Sequence, residues 1–234
     1  GGVAALALHF SLDFDSAIAS TSETRLLMGT VVNLTIISND PLAARTAIRA
    51  CLERMSELES VLSRFQPESQ LSRLNWIGAV DDPHPALFKL MKQSLELSQL
   101  TTGAFDITVK PLLDLYQTKP GCLPGTWQIQ HILDLVDYRK INLSETRIAF
   151  QQPSMAITLD GIAKGFIVDE GVAVLRQLGF ENILVEAGGD LMGLGEKTPH
   201  NPWIGGLQAP RKEMGSLIAT FSIHNQAVAT SGDY

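Results

Sequence analysis

Apolar residues recur at Ala44, Ile48, Cys51, Met55, Leu58 and Leu62, and Phe65 continues the row. That three-four spacing predicts a long amphipathic helix from about Leu42 to Leu62. Asp40 is placed to cap it and Pro41 suits its first position. Ahead of it, the β-branched run Thr30 to Ile37 predicts a strand. Behind it, Ser63 to Glu68 reads as a turn around Pro67, and Ser69 to Asn75 as a short helix capped by Ser69. A second long helix is expected from Ala86 to Leu100, with Leu87, Met91 and Leu95 on one face and Thr101-Thr102-Gly103 closing it. Ala104-Phe105-Asp106 opens a further segment reaching Pro111 and Tyr116. Lys119 to Thr126 reads as a loop.

The second half changes period. Short apolar runs predict strands at Arg147–Phe150, Met155–Leu159, Ile183–Glu186, Leu191–Leu194, Trp203–Gln208, Leu217–His224 and Ala227–Thr230. They flank a third long helix, Ile162 to Leu178, with Phe166, Val172, Leu175 and Leu178 inward and Gly179 as its stop. Helices early and strands late indicate an α+β fold, with three long helices on a mostly antiparallel sheet. There are no internal repeats.

Composition adds exclusions. At 234 residues with 45% hydrophobic and 18% charged positions, the chain can bury a sizeable core. A formal net charge of −7 argues against sequence-independent nucleic-acid binding, which needs a basic face. Cys51 and Cys122 share no CxxC spacing, so a zinc or redox motif is unsupported. Two buried free thiols is the favoured reading, with a Cys51–Cys122 disulfide as the alternative. Residues 1–23 read as a leader: Gly1 to Leu8 is small and apolar, and Ala17-Ile18-Ala19 is an A-x-A pattern. This is either the remnant of an export signal or a disordered extension. No segment reaches transmembrane length.

The candidate chemistry lies in the third helix and what flanks it. Thr158-Leu159-Asp160-Gly161-Ile162-Ala163-Lys164-Gly165 carries a strand-like segment through a glycine turn into the helix. Glu186-Ala187-Gly188-Gly189-Asp190 is a second glycine corner. N–H groups at a helix start, with a lysine on the first turn, suit an anionic ligand, most often phosphate. Two bare-backbone corners suit a ligand lying against the main chain. Asp106, Asp160 and Asp190 are each either a turn cap or part of a site. The histidines lack zinc spacing, and neither a Gly-x-Ser-x-Gly elbow nor a Walker loop is present.

These pieces, in order, resemble the ApbE family, the FAD:protein FMN transferases formerly described as thiamine biosynthesis lipoproteins. The likeness runs from about Leu27 to Tyr234. It rests on Met28-Gly29-Thr30, Leu62-Ser63-Arg64-Phe65, Ser69 to Asn75, Thr102 to Asp106, Gly161 to Gly165, Ala187 to Asp190, and Ala229 to Tyr234. The resemblance implies an ApbE-like fold over residues 24–234 and a magnesium-dependent transfer of FMN from FAD to a threonine hydroxyl of a target flavoprotein, with AMP released. It also implies that Met28, Phe65, Ala104, Phe105, Asp106, Thr158, Asp160 and Lys164 contact FAD, and that the Gly161 carbonyl faces magnesium. Members that hydrolyse FAD to FMN and AMP offer a second reading, and a non-catalytic FAD-binding protein is a third. The implied partner is a flavoprotein subunit of a redox complex. The implied place is periplasmic or exported, with membrane association through a lost N-terminal anchor.

Three departures bear on this. Many members carry aspartate at the position of Thr158, whereas here the acid stands at Asp160, on the same side of an extended segment. Phe65 stands where many carry tyrosine. Members also continue past Ser231-Gly232-Asp233-Tyr234 into a His-x-Ile-Asp-Pro segment and the Asp and Thr that hold magnesium. The family domain is therefore expected to be C-terminally incomplete, and these 234 residues alone a poor catalyst.

Overall fold

The computed structural model describes residues 18–117, 123–208 and 217–230. Strands β1 (Ala19–Leu27) and β2 (Thr30–Ser38) form a hairpin, followed by helices α1 (Pro41–Leu62) and α2 (Gln70–Ile77). Strand β3 (Ala79–Asp81) leads to α3 (Pro85–Leu100), then α4 (Lys110–Gln117) and α5 (Thr126–Leu133). Strands β4 (Ile141–Leu143) and β5 (Arg147–Phe150) precede α6 (Ala163–Gln177). The chain then makes β6 (Ile183–Ala187), β7 (Asp190–Leu194), β8 (Trp203–Gln208), β9 (Leu217–Ile223) and β10 (Gln226–Val228).

The main sheet has the order β1-β2-β6-β7-β10, and every neighbouring pair is antiparallel. Alternation decides its inner face: Val32, Leu34 and Ile36 of β2 and Ile183, Val185 and Ala187 of β6 are fully buried. Helices α1 and α6 pack on one another and on this sheet. A smaller sheet, β3-β5-β4, stands beside α3. The β8–β9 hairpin covers part of the outer face, where Gly193 leaves room for Ile223 and Trp203. The fold is α+β, as the change of period implies.

Local signals act as read for the helices. The Asp40 carboxylate accepts from the N–H groups of Leu42 and Ala43, and Pro41 opens α1. Ser69 accepts from Ser72 N–H to start α2. The buried stripe of α1 is Ala44, Ile48, Cys51, Met55, Leu58 and Leu62. Burial pushes the Cys51 thiol up to about 12, so it is packing rather than a nucleophile. Cys122 lies outside the described residues.

Four expectations differ from what is found. The main sheet starts at Ala19, within the stretch read as a leader, because β1 pairs along its whole length with β2. Residues 1–17 lie outside the described set. Met155–Leu159 has no regular secondary structure and joins no sheet. Asn75 holds both polar groups of Ile157, donating Nδ2 to its carbonyl and accepting its N–H, and Thr158 N–H goes to Ile107 O. Leu178, expected inward, is 53% exposed, since it follows the last turn of α6. Phe65 follows the end of α1 and is 74% exposed.

Candidate functional site

Two hairpin turns and one helix entry build the site. Ala187 pairs with Asp190 across Gly188-Gly189, and both glycines have positive φ, 54° and 91°. This is the geometry of a tight two-residue hairpin turn. A Cβ on Gly188 would stand 2.2 Å from Thr30 Oγ1, so the Met28-Gly29 hairpin presses directly on the second turn. Met28, itself at φ 54°, packs half-buried against the core.

The third piece is the entry to α6. Its first residue follows Ile162, and no side chain caps it. Leu159 O accepts from the N–H groups of Ile162 and Ala163, which leaves those of Lys164 and Gly165 for another acceptor. Lys164, on the first turn, donates to Gly188 O at 3.0 Å and lies 3.2 Å from Asp190 Oδ2. It therefore ties the helix start to the β6–β7 turn. Asp160 Oδ2 accepts from Arg64 Nε at 2.6 Å, and the Arg64 guanidinium lies 4.1 Å from the centre of the Phe65 ring.

These elements open onto a cleft of about 590 Å³ between α3, α6 and the β7–β10 edge. Asp160, Gly161, Lys164 and Asp190 line it. Phe105 backs it: a Cβ on Gly161 would sit 3.5 Å from the Phe105 ring. A larger cavity of about 720 Å³ lies at the other end of the sheet, by Ser38, Asp40 and Asn182, and has none of the expected site residues on its wall.

The other expected contacts stand differently. Thr158 is buried, and its Oγ1 accepts from Asp160 N–H at 3.2 Å, so it shapes the turn. Asp106 is bonded through both oxygens: Oδ1 accepts from Thr108 N–H and Oγ1–H, and Oδ2 accepts from Tyr138 N–H. This is the turn-capping alternative. Ala104 is exposed in the same loop. Met28, Phe65 and Ala104 do not line the cleft itself. Ser231 to Tyr234 lie outside the described residues.

Sequence reasoning gave no role to the cleft's far wall. There Lys89 of α3 and Arg54 of α1 both bind Glu170 of α6, at 2.6 and 2.8 Å. Burial alone would raise the Glu170 carboxyl, but hydrogen bonds from Lys89 and Arg54 and their charges outweigh it and hold it below the usual range. Neighbouring Asp169 is raised, by burial first and by Glu170's charge second. The signal for this wall was a second stripe on α3, Lys89, Gln93, Glu96, Leu97 and Leu100, at helical spacing.

The described donors around the cleft do not assemble a shell for a divalent cation. Among the described residues no three Asp, Glu, His or Cys side chains converge on one point. Asp160 and Asp190 are each held by a cation of the chain, leaving the Gly161 carbonyl as the expected donor. One carbonyl does not fill a six-oxygen shell.

Comparison with known proteins bears on the family and the fold. The FAD:protein FMN transferase of Vibrio cholerae is 26% identical over 215 residues, covering 88% of this chain and 64% of that protein. One from Klebsiella pneumoniae is 30% identical over 223 residues, covering 91% and 66%. The chain thus spans about two thirds of the length of these relatives. The solved flavin transferase ApbE of Vibrio cholerae superposes with a TM-score of 0.81 at 24% identity, over 92% of this chain and 72% of that one. The ApbE protein of Thermotoga maritima superposes at 0.80 and 29% identity, over 92% and 71%. The ApbE family model matches residues 28–234. This chain therefore belongs to the ApbE family.

Proposed function

We propose that the chain binds FAD in the α6 cleft and serves transfer of FMN from it to a threonine hydroxyl of a target flavoprotein. One observation carries the reading: the uncapped start of α6 lines one cleft together with Gly161 and Lys164, and Lys164 ties it to the Gly188-Gly189 turn. That combination suits a diphosphate. In the transfer, the threonine oxygen bonds to the FMN phosphorus and the bridging P–O bond breaks. AMP leaves with the bond's electrons, and the hydroxyl proton passes to water.

The chain's own contribution is positioning. Lys164 orients the diphosphate and the glycine turns admit it close to the backbone. Phe65, exposed beside Arg64, is available to stack on an aromatic ring. Magnesium would neutralise diphosphate charge in this reading, and of the described residues the Gly161 carbonyl is the donor proposed to face it. The target is an exported or membrane-facing flavoprotein subunit of a redox complex, and the place periplasmic; the family and the Ala17-Ile18-Ala19 pattern support this.

The test is one incubation of the chain with FAD, magnesium and a threonine-bearing acceptor domain, read by mass spectrometry. Flavinylated acceptor and AMP are expected, formed slowly, as for a poor catalyst. Free FMN with unmodified acceptor assigns hydrolysis instead. Unchanged FAD contradicts catalysis by this chain.

A further inference from the structure

The charge around the cleft does not suit an anion at first sight. Its wall carries five carboxylates, Glu96, Asp160, Asp169, Glu170 and Asp190, and two lysines, Lys89 and Lys164. Lys89 is engaged by Glu170 and Lys164 by Asp190. A diphosphate entering this field needs a further cation that keeps donors to spare.

Arg64 meets that need from beside the wall: it is not itself a lining residue but grips one, Asp160. It lies just after α1 and is only 19% exposed in its side chain. Its Nε is committed to Asp160, which stands on the cleft wall. Its plane lies over the Phe65 ring. Nη1 and Nη2 have no hydrogen-bond partner among the described residues. A guanidinium fixed at one edge and stacked on one face keeps its other edge pre-aligned, and planar paired donors suit phosphate oxygens.

We infer that Arg64 is a ligand-binding residue for the diphosphate of the dinucleotide, and that Asp160 is its positioning residue rather than a direct contact of cofactor or cation. The assignment rests on the proposed FAD site. It also gives a physical role to the acid found at Asp160 instead of at Thr158. The carboxylate holds the arginine and removes its own charge from the path of the anion. Phe65 fixes the same guanidinium from the side.

Fluorescence titrations of FAD and of riboflavin, which lacks phosphate, test this on the full chain. Arg64→Ala is expected to weaken FAD about tenfold or more, the scale of a lost charge-assisted hydrogen bond, and to leave riboflavin nearly unchanged. Arg64→Lys should recover only part, since an ammonium lacks the planar fork. Asp160→Asn separates binding from support of the turn. It removes a negative charge but keeps Arg64, so FAD affinity is expected to hold or rise. Equal losses in Arg64→Ala and Asp160→Asn would reduce the pair to a brace for the turn and overturn the assignment. So would an unchanged FAD affinity in Arg64→Ala. If the unaltered chain binds no FAD, the site reading fails first and this assignment falls with it.

Discussion

Gly188 shows how narrowly the site is set at the residue scale. Its φ of +54° is one that L side chains rarely adopt, and a Cβ there would meet Thr30 Oγ1 at 2.2 Å. Gly188→Ala therefore combines backbone strain with a clash between the two hairpins. It should lower stability by about 1–3 kcal/mol, seen as a depressed Tm in thermal unfolding. An unchanged Tm would mean that the turn relaxes freely. Lys164 carries the functional counterpart. Lys164→Ala should weaken FAD about tenfold in a binding titration, since a hydrogen bond to a charged group is lost. Equal affinity would leave Lys164 only as the tie between α6 and the β6–β7 turn.

Elements place these residues through the contact of α6 with α1. Gly171 lets the helices approach: a Cβ there would sit 3.0 Å from Cys51 Sγ and 3.0 Å from Met55 Cγ. Gly171→Val should cost about 1–3 kcal/mol by overpacking and shift the cleft wall with the helix. A melting curve equal to that of the unaltered chain would contradict this packing. The Arg54–Glu170–Lys89 bridge pins α6 from the other side. Folding lowers the Glu170 pKa, so its contribution is complete above the ordinary glutamate value of about 4.3. It fades as pH falls through the lower folded value. The Tm gap between the unaltered chain and Glu170→Gln should thus be constant near neutrality and shrink on acidification. A gap that widened in acid would reverse the sign.

Elements also show what was readable in advance. The stripe of α1 and the alternation of β2 state their period directly, because each buries one face and exposes the other. Strand β1 does not: only Thr21 and Leu27 of its nine residues are buried, so its apolar pattern is faint and its partner β2 defines it. Met155–Leu159 has the reverse fault. It is apolar, yet Asn75 takes the hydrogen bonds a neighbouring strand would have taken. The turn into α6 and the Gly-Gly corner were legible because glycine and lysine there have few other uses. The pairing of Arg64 with Asp160, ninety-six positions apart, was not, since no local pattern links them.

For the whole molecule, one antiparallel sheet holds both hairpin turns in register, and α6 runs from the same end. The β2–β6 ladder sets the Met28-Gly29 and Gly188-Gly189 turns side by side, and Lys164 joins them to the helix start. We place the diphosphate of FAD at this junction. The most direct measurement is a crystal structure of the chain with FAD bound. The prediction is the diphosphate at the Asp160–Gly165 turn, within hydrogen-bond reach of Lys164. Density for FAD at the opposite cavity near Asp40 and Asn182, or a junction filled by the chain's own side chains, would contradict it.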